Sequence, residues 1–259
     1  MATLFLVAAP AAAESTRARQ AIIVEHPSGR VVFEKAADKA MAPSSMTKLM
    51  TLYLAFEALK AGRVGETTMV KVSKRAAGAR GSSMDLKAGD SVPFGDLVRG
   101  AAIASANDAA VAIAEHLAKS EAAFAKAMTA AGRDLGLAGS RFANATGHTA
   151  KNHRMTAADV ARLAGVILQR YPEHYRMFAE HEFRYRGRSY ANRNPLLGTY
   201  DGADGIKTGM TAAGGYGMAA SAERGGRRLI LVVNGLPSDD ARAAEARRLL
   251  DWGFARLSR

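Results

Sequence analysis

Three short strings in this chain place hydroxyl, amine and amide groups where they could act on a carbonyl. Ser45-Met46-Thr47-Lys48 sets a hydroxyl and an amine three residues apart, where Met46, Leu49, Met50, Tyr53, Leu54 and Leu59 recur near helical spacing after Pro43. On a helix, that spacing projects both side chains from one face, one turn apart. A serine needs a base to become a nucleophile, and a lysine can serve only if burial or a second cation keeps its amine neutral. Ser105-Ala106-Asn107 adds a second hydroxyl and an amide, and Lys207-Thr208-Gly209 adds a cation, a further donor and a glycine beside which a substrate backbone could lie.

The elements that must position these groups follow from pattern. Ala21–Glu25 and Arg30–Glu34 flank the turn cluster His26-Pro27-Ser28-Gly29 and read as a hairpin. A helix is expected to begin close to Ser45. From Pro93 to Leu137 the chain is Ala-rich and helical, interrupted at Ala104–Asn107, where Ser and Asn favour a cap or turn. Thr156-Ala157-Ala158-Asp159 opens another helix to about Gln169, which Tyr171-Pro172 ends. Tyr216–Ala222 and Arg228–Val233 flank Gly225-Gly226 as a second hairpin, with Lys207-Thr208-Gly209 before it, and a helix runs from Asp239 through Phe254. Strands at both ends with helices between predict an α+β fold: an antiparallel sheet built from both termini, flanked by helices, with an all-helical lobe inserted and one cleft between the two lobes.

Composition narrows the possible functions. The chain has 259 residues, 48% hydrophobic and 23% charged, which is enough to bury a full core. It contains no cysteine, so thiolate nucleophiles, disulfides and Cys-based metal sites are excluded. Its net charge of +12 suits a polyanionic neighbourhood without saying which. Residues 1–13, with the apolar run Leu4–Ala9 and then Ala11-Ala12-Ala13, read as the remnant of a signal peptide lacking its basic end, which predicts an exported, periplasmic or extracytoplasmic, soluble protein.

Taken singly, each string has an ordinary structural explanation: a helix cap followed by a surface lysine, a cap between helices, a turn before a strand. Ser-x-x-Lys alone is expected about 0.6 times by chance in a chain of this composition. Their joint occurrence in this order is the motif set of active-site serine penicillin-interacting enzymes. From about Ala21 to Phe254 the chain resembles the low-molecular-mass penicillin-binding proteins that act as D-alanyl-D-alanine carboxypeptidases. The likeness also takes in Ala42–Thr51, Arg80-Gly81-Ser82-Ser83-Met84, Leu97-Val98-Arg99-Gly100, Phe142-Ala143-Asn144, Asn192-Arg193-Asn194, Asp204–Gly209 and Trp252-Gly253-Phe254.

That resemblance implies a β-lactamase/transpeptidase-like catalytic domain over residues 14–259 and a role for each matching residue. Ser45 would accept the acyl group, with Lys48 as its base beside Lys207. Ser105 would relay a proton to the departing D-Ala, and Asn107 would hold the substrate's peptide carbonyl. The backbone N–H groups of Ser45 and Met210 would form the oxyanion hole. Lys207, Thr208, Thr211 and Arg193 would recognise the terminal carboxylate, Arg193 through a two-pronged guanidinium grip, and Gly209 would let the substrate backbone come close. The implied substrate is the peptidoglycan stem pentapeptide, the implied covalent inhibitors are β-lactam antibiotics, and no metal or cofactor is needed. Typical members continue beyond the Trp-Gly-Phe region into a β-rich domain and an amphipathic anchor. This chain stops at Arg259, so neither an anchoring domain nor a stable membrane anchor is expected. A second departure is His148 after Thr146-Gly147, where many relatives carry leucine.

Other readings fare worse. A class A β-lactamase would carry Glu-x-x-Leu-Asn between the second and third motifs, and no such string lies between Asn107 and Lys207. A D,D-endopeptidase acting on cross-links shares every motif and remains open. A catalytically idle wall-binding module would not need Ser45, Lys48 and Lys207. The histidines lack His-Glu-x-x-His spacing, so no metal is expected. The pairs Arg227-Arg228 and Arg247-Arg248 do not alternate with aromatics, so no nucleic acid is expected.

Overall fold

The computed structural model describes residues 14–257; the signal-peptide reading over residues 1–13 lies outside them. In chain order the strands are β1 (Gln20–His26), β2 (Val31–Lys35), β3 (Met69–Lys71), β4 (Ser91–Pro93), β5 (Glu182–Tyr185), β6 (Arg188–Ala191), β7 (Ala203–Thr211), β8 (Gly215–Arg224) and β9 (Arg227–Leu236). The helices are α1 (Lys48–Lys60), α2 (Lys74–Ala77), α3 (Phe94–Ala102), α4 (Asn107–Ala118), α5 (Glu121–Asp134), α6 (Ala157–Arg170), α7 (Pro172–Tyr175) and α8 (Asp239–Leu257). Short 3-10 turns cover Ser44–Thr47 and Arg176–Ala179.

Five strands form one antiparallel sheet in the order β2-β1-β9-β8-β7, so the N-terminal β1 lies against the C-terminal β9, with Ala21 opposite Val233. Alternation in the sheet explains its two coverings. Ile23, Leu229, Leu231 and Val233 pack with Leu249, Leu250 and Phe254 of α8. Their neighbours Ile22, Ile230 and Val232 turn to the other face and join the core containing α1 and α6. Strands apolar on both faces belong between two helical layers, which is why β9 reads as an unbroken run, Leu229–Val233.

Within the inserted lobe α1 is central. Lys48, Leu49, Met50, Thr51, Leu52, Tyr53, Ala55, Phe56 and Ala58 are all buried, so the helix is enclosed on every side and not only along one stripe. The predicted capping at Thr156 is present, its hydroxyl accepting from the Asp159 N–H, and α6 ends at Tyr171. Beyond the expected helices, the lobe holds two short ribbons, β3–β4 and β5–β6. The second turns on Arg186-Gly187, both at positive φ.

Candidate active site

The Ser45–Lys48 string straddles a change of helix type. Ser45 lies in the 3-10 turn, and Lys48 is the first residue of α1. Lys48 Nζ sits 3.1 Å from Ser45 Oγ and donates to the Thr146 carbonyl at 2.8 Å. The side chain is fully buried. Burial, reinforced by the nearby Lys207, holds its amine well below the ordinary lysine range, while Asp108 opposes the shift. Lys207 is itself 2% exposed and is pushed down to about 7 by burial and by the guanidinium groups of Arg242 and Arg193. Two lysines that would be surface cations in most chains are thus buried amines of lowered proton affinity, the condition under which a lysine can take up and release protons in a reaction.

Ser105 and Asn107 lie where α3 hands over to α4. Ser105 is buried with φ at 59°, and Asn107 opens α4. The preceding loop is tied to this helix start by the buried Asp108 carboxylate, which accepts from Ser83 Oγ at 2.6 Å and from the N–H groups of Met84 and Leu86. Asn107 N–H donates to the Ser82 carbonyl at 2.7 Å, so Ser82 and Ser105 face the same space.

Lys207-Thr208-Gly209, set before the C-terminal hairpin by the sequence, lies inside β7, an edge strand paired among the described residues only with β8. The structure adds a second reason for Gly209. A Cβ there would come within about 3 Å of Ser44 Cβ, Pro43 O and Ser45 N, so the glycine lets β7 press against the Ser45 turn itself. Gly147 does the same from the opposite side. Its φ is +92°, and a Cβ would fall 1.8 Å from the Ser44 carbonyl oxygen.

A cleft of about 330 Å³ is lined by Ser45, Ser82, Ser105, Arg193, Thr208, Gly209, Met210, Tyr216, Asp239 and Arg242. Most of the expected residues therefore meet there. Met210 exposes 56% of its surface, compatible with a role for its backbone and not its thioether. Asn192 and Asn194 secure the turn that presents Arg193: Asn192 Nδ2 donates to the Phe178 and Glu180 carbonyls, and Asn194 Oδ1 accepts from Leu196 N–H. Thr211 stands apart. Its hydroxyl lies 2.9 Å from Ser44 Oγ and accepts from Gly214 N–H, which commits it to bracing the nucleophile turn. Among the described residues no three His, Asp or Glu side chains gather as a metal site, and no helix is long and apolar enough to cross a membrane.

Sequence reasoning missed Arg242. It is buried near the start of α8, paired with Asp239, over the Tyr216 ring, with Nε lacking a partner among the described residues. A buried arginine with an unused donor in a cleft is a ready anion contact. The only sequence signal was Asp239 three residues earlier in a segment that otherwise reads as a solvated Ala/Arg face.

His153 was also passed over. Its Nδ1 accepts from Ala143 N–H at 2.9 Å, which leaves Nε2–H to donate to Thr47 Oγ1 at 2.8 Å, within the Ser45–Lys48 string. Burial pushes it down to about 4. Because the folded value lies below the unfolded value of about 6.5, this group's contribution is complete above that pH and is lost as pH falls towards 4. The full term is about 3 kcal/mol. Urea midpoints of the wild-type protein should drop across that window, and those of His153→Gln, which cannot take up the proton, should drop less. Parallel profiles would refute the assignment.

A sheet covered by helices on both faces, with a serine, two buried lysines and an Ser-x-Asn turn meeting at its edge strand, defines the transpeptidase-like class of active-site serine proteins. The chain belongs to the D-alanyl-D-alanine carboxypeptidase family, whose sequence model matches residues 7–238. It is 40% identical to the D-alanyl-D-alanine carboxypeptidase DacC of Escherichia coli over 97% of this chain, and it spans 65% of that relative's length. Penicillin binding protein 5 from Haemophilus influenzae superposes with a TM-score of 0.91 at 33% identity, covering 95% of this chain and 73% of that one. Penicillin-binding protein D2 from Listeria monocytogenes, solved in its ampicillin-bound form, gives 0.86 at 27% identity, covering 93% of this chain and 99% of that one.

Proposed function

We propose that this chain is a serine-type D-alanyl-D-alanine carboxypeptidase that removes the terminal D-Ala from peptidoglycan stem pentapeptides through a Ser45 acyl-enzyme. The observation that carries this reading is the buried Lys48 amine 3.1 Å from Ser45 Oγ, with burial, reinforced by Lys207, holding its proton affinity down. Lys48 takes the Ser45 proton as Oγ attacks the carbonyl between the last two D-alanines. The backbone N–H groups of Ser45 and Met210 receive the negative charge, at about 3–4 kcal/mol per donor in comparable sites. Ser105 passes a proton to the leaving amine, D-Ala departs, and water attacks the ester to release a tetrapeptide and free Ser45. Asn107 donates to a substrate peptide carbonyl, while Arg193, Thr208 and Arg242 surround the terminal carboxylate.

The same serine is expected to be acylated by β-lactams, whose strained amide presents the carbonyl in the same place. An extracytoplasmic location fits the proposed wall substrate and the apolar N-terminal sequence, and the +12 charge favours adhesion to an anionic wall. We take residues 14–259 as its catalytic domain. Intact-mass measurement after brief penicillin exposure should show one adduct, on Ser45, that persists for minutes. Ser45→Ala should show none and should release no D-Ala from a pentapeptide. Turnover by Ser45→Ala, or rapid repeated hydrolysis of the drug, would overturn the proposal. Cleavage of a cross-linked dimer but not of the pentapeptide would make it an endopeptidase.

A further inference from the structure

The loop from Ala143 to His153 touches three parts of the site. The Thr146 carbonyl holds Lys48, His153 holds Thr47, and the remaining imidazole, His148, reaches across to the start of α4. His148 Nε2 lies 3.0 Å from the Arg80 carbonyl oxygen and 3.3 Å from Asn107 Nδ2. The same carbonyl also accepts from Asn107 Nδ2 at 2.5 Å. One carbonyl, one amide nitrogen and one ring nitrogen thus form a triangle beside the cleft.

Only one placement of hydrogens makes the two shortest sides attractive. A carbonyl oxygen has two lone pairs and can accept from both neighbours, so Nε2 must carry a hydrogen. In the other tautomer its lone pair would face that oxygen at 3.0 Å, and it would draw in the second Asn107 amide hydrogen. With Nε2–H on Arg80, that second hydrogen is left uncommitted. The loop is also held close: Gly81 has φ at +91°, and a Cβ there would lie 2.8 Å from Asn107 Nδ2. Asn107 Oδ1 is buried without a partner among the described residues, so nothing on that side holds the amide's orientation.

We propose that His148 is a positioning residue for substrate binding: by donating through Nε2 to the Arg80 carbonyl, it braces that loop and keeps one Asn107 amide hydrogen free for the substrate's peptide carbonyl. This role rests on the carboxypeptidase reading of Asn107. It assigns His148 no contact with the substrate and no proton in the reaction.

His148 is exposed, so its replacement leaves the core intact, which an unchanged thermal midpoint will verify. His148→Leu removes the donor, whereas His148→Gln keeps an N–H at about the reach of Nε2. On a pentapeptide ending in D-Ala-D-Ala, the Leu variant should raise KM by about three- to tenfold, the usual worth of one hydrogen bond, with kcat within about twofold of wild type. The Gln variant should bring KM back to within about twofold. An unchanged KM in the Leu variant, a Gln variant as impaired as Leu, or a loss confined to kcat would each overturn the role. Failure of the wild-type protein itself to release D-Ala or form a penicillin adduct would instead refute the function on which the role depends.

Discussion

Lys48→Met should abolish acylation almost completely while leaving the protein folded. If the Lys48 amine is the base for Ser45, its loss should slow adduct formation with penicillin by about 10³-fold, within the range usual for a positioned general base. The stability change should be small because opposing terms nearly cancel. The substitution replaces a fully desolvated amine with an apolar side chain, which favours the fold, and it leaves the Thr146 carbonyl without its 2.8 Å donor, which costs about 1–3 kcal/mol. Time-resolved mass spectrometry and a thermal melt together test this. Acylation within tenfold of wild type would show that the proton goes elsewhere, and a collapsed melting transition would show that Lys48 acts mainly as a structural donor.

Gly147→Ala should be nearly as damaging to activity, through geometry alone. The added methyl would lie 1.8 Å from Ser44 O, 2.3 Å from Ser44 C and 3.0 Å from Ser45 N, all backbone atoms that cannot swing aside as a side chain could. Relief requires the nucleophile turn to move by about an ångström, a displacement able to cost about 10²-fold in rate. The residue would also have to hold φ at +92°, which adds about 1–2 kcal/mol. Gly187→Ala is the matched control. It too sits at positive φ, in the β5–β6 turn, but with nothing within 4 Å of the new methyl, so it should cost about 1 kcal/mol of stability and no activity. Equal acylation rates for the two variants would remove the steric explanation.

The parts of the site legible in the sequence are those in which one local spacing does the positioning. Ser45 and Lys48 are neighbours on any helix, so the pair could be read directly. Two hairpins of the main sheet, β1–β2 and β8–β9, were legible too, because turn residues and β-branched runs are local signals, whereas the β7–β8 hairpin was not. Lys207-Thr208-Gly209 was found but the strand that carries it was not: the glycines and polar residues of β7 hide the alternation of an edge strand, and Gly209 answers to Ser44, far away in sequence. Arg242 was invisible because an arginine in an Ala/Arg helix looks solvated until the cleft forms over it. The Ala143–His153 loop was legible only as scattered residues. Its importance lies in what Thr146, Gly147, His148 and His153 touch outside the loop, and each of those contacts spans 41 residues or more.

The pairing of β1 with β9 bears on when the assembled site can first exist. Ala21 waits for Val233 and Ile23 for Leu231, so the central strand pair closes only after more than 200 intervening residues have been made. Contacts of that range pay their loop-closure entropy late and slow the search for the fold. Ser45 and Lys48 leave the ribosome early, yet β7, which presses Gly209 against their turn, arrives in the last quarter of the chain. Throughout synthesis Ser45 is therefore an ordinary serine, and the polypeptide can stay unfolded and chemically inert until nearly all of it is present.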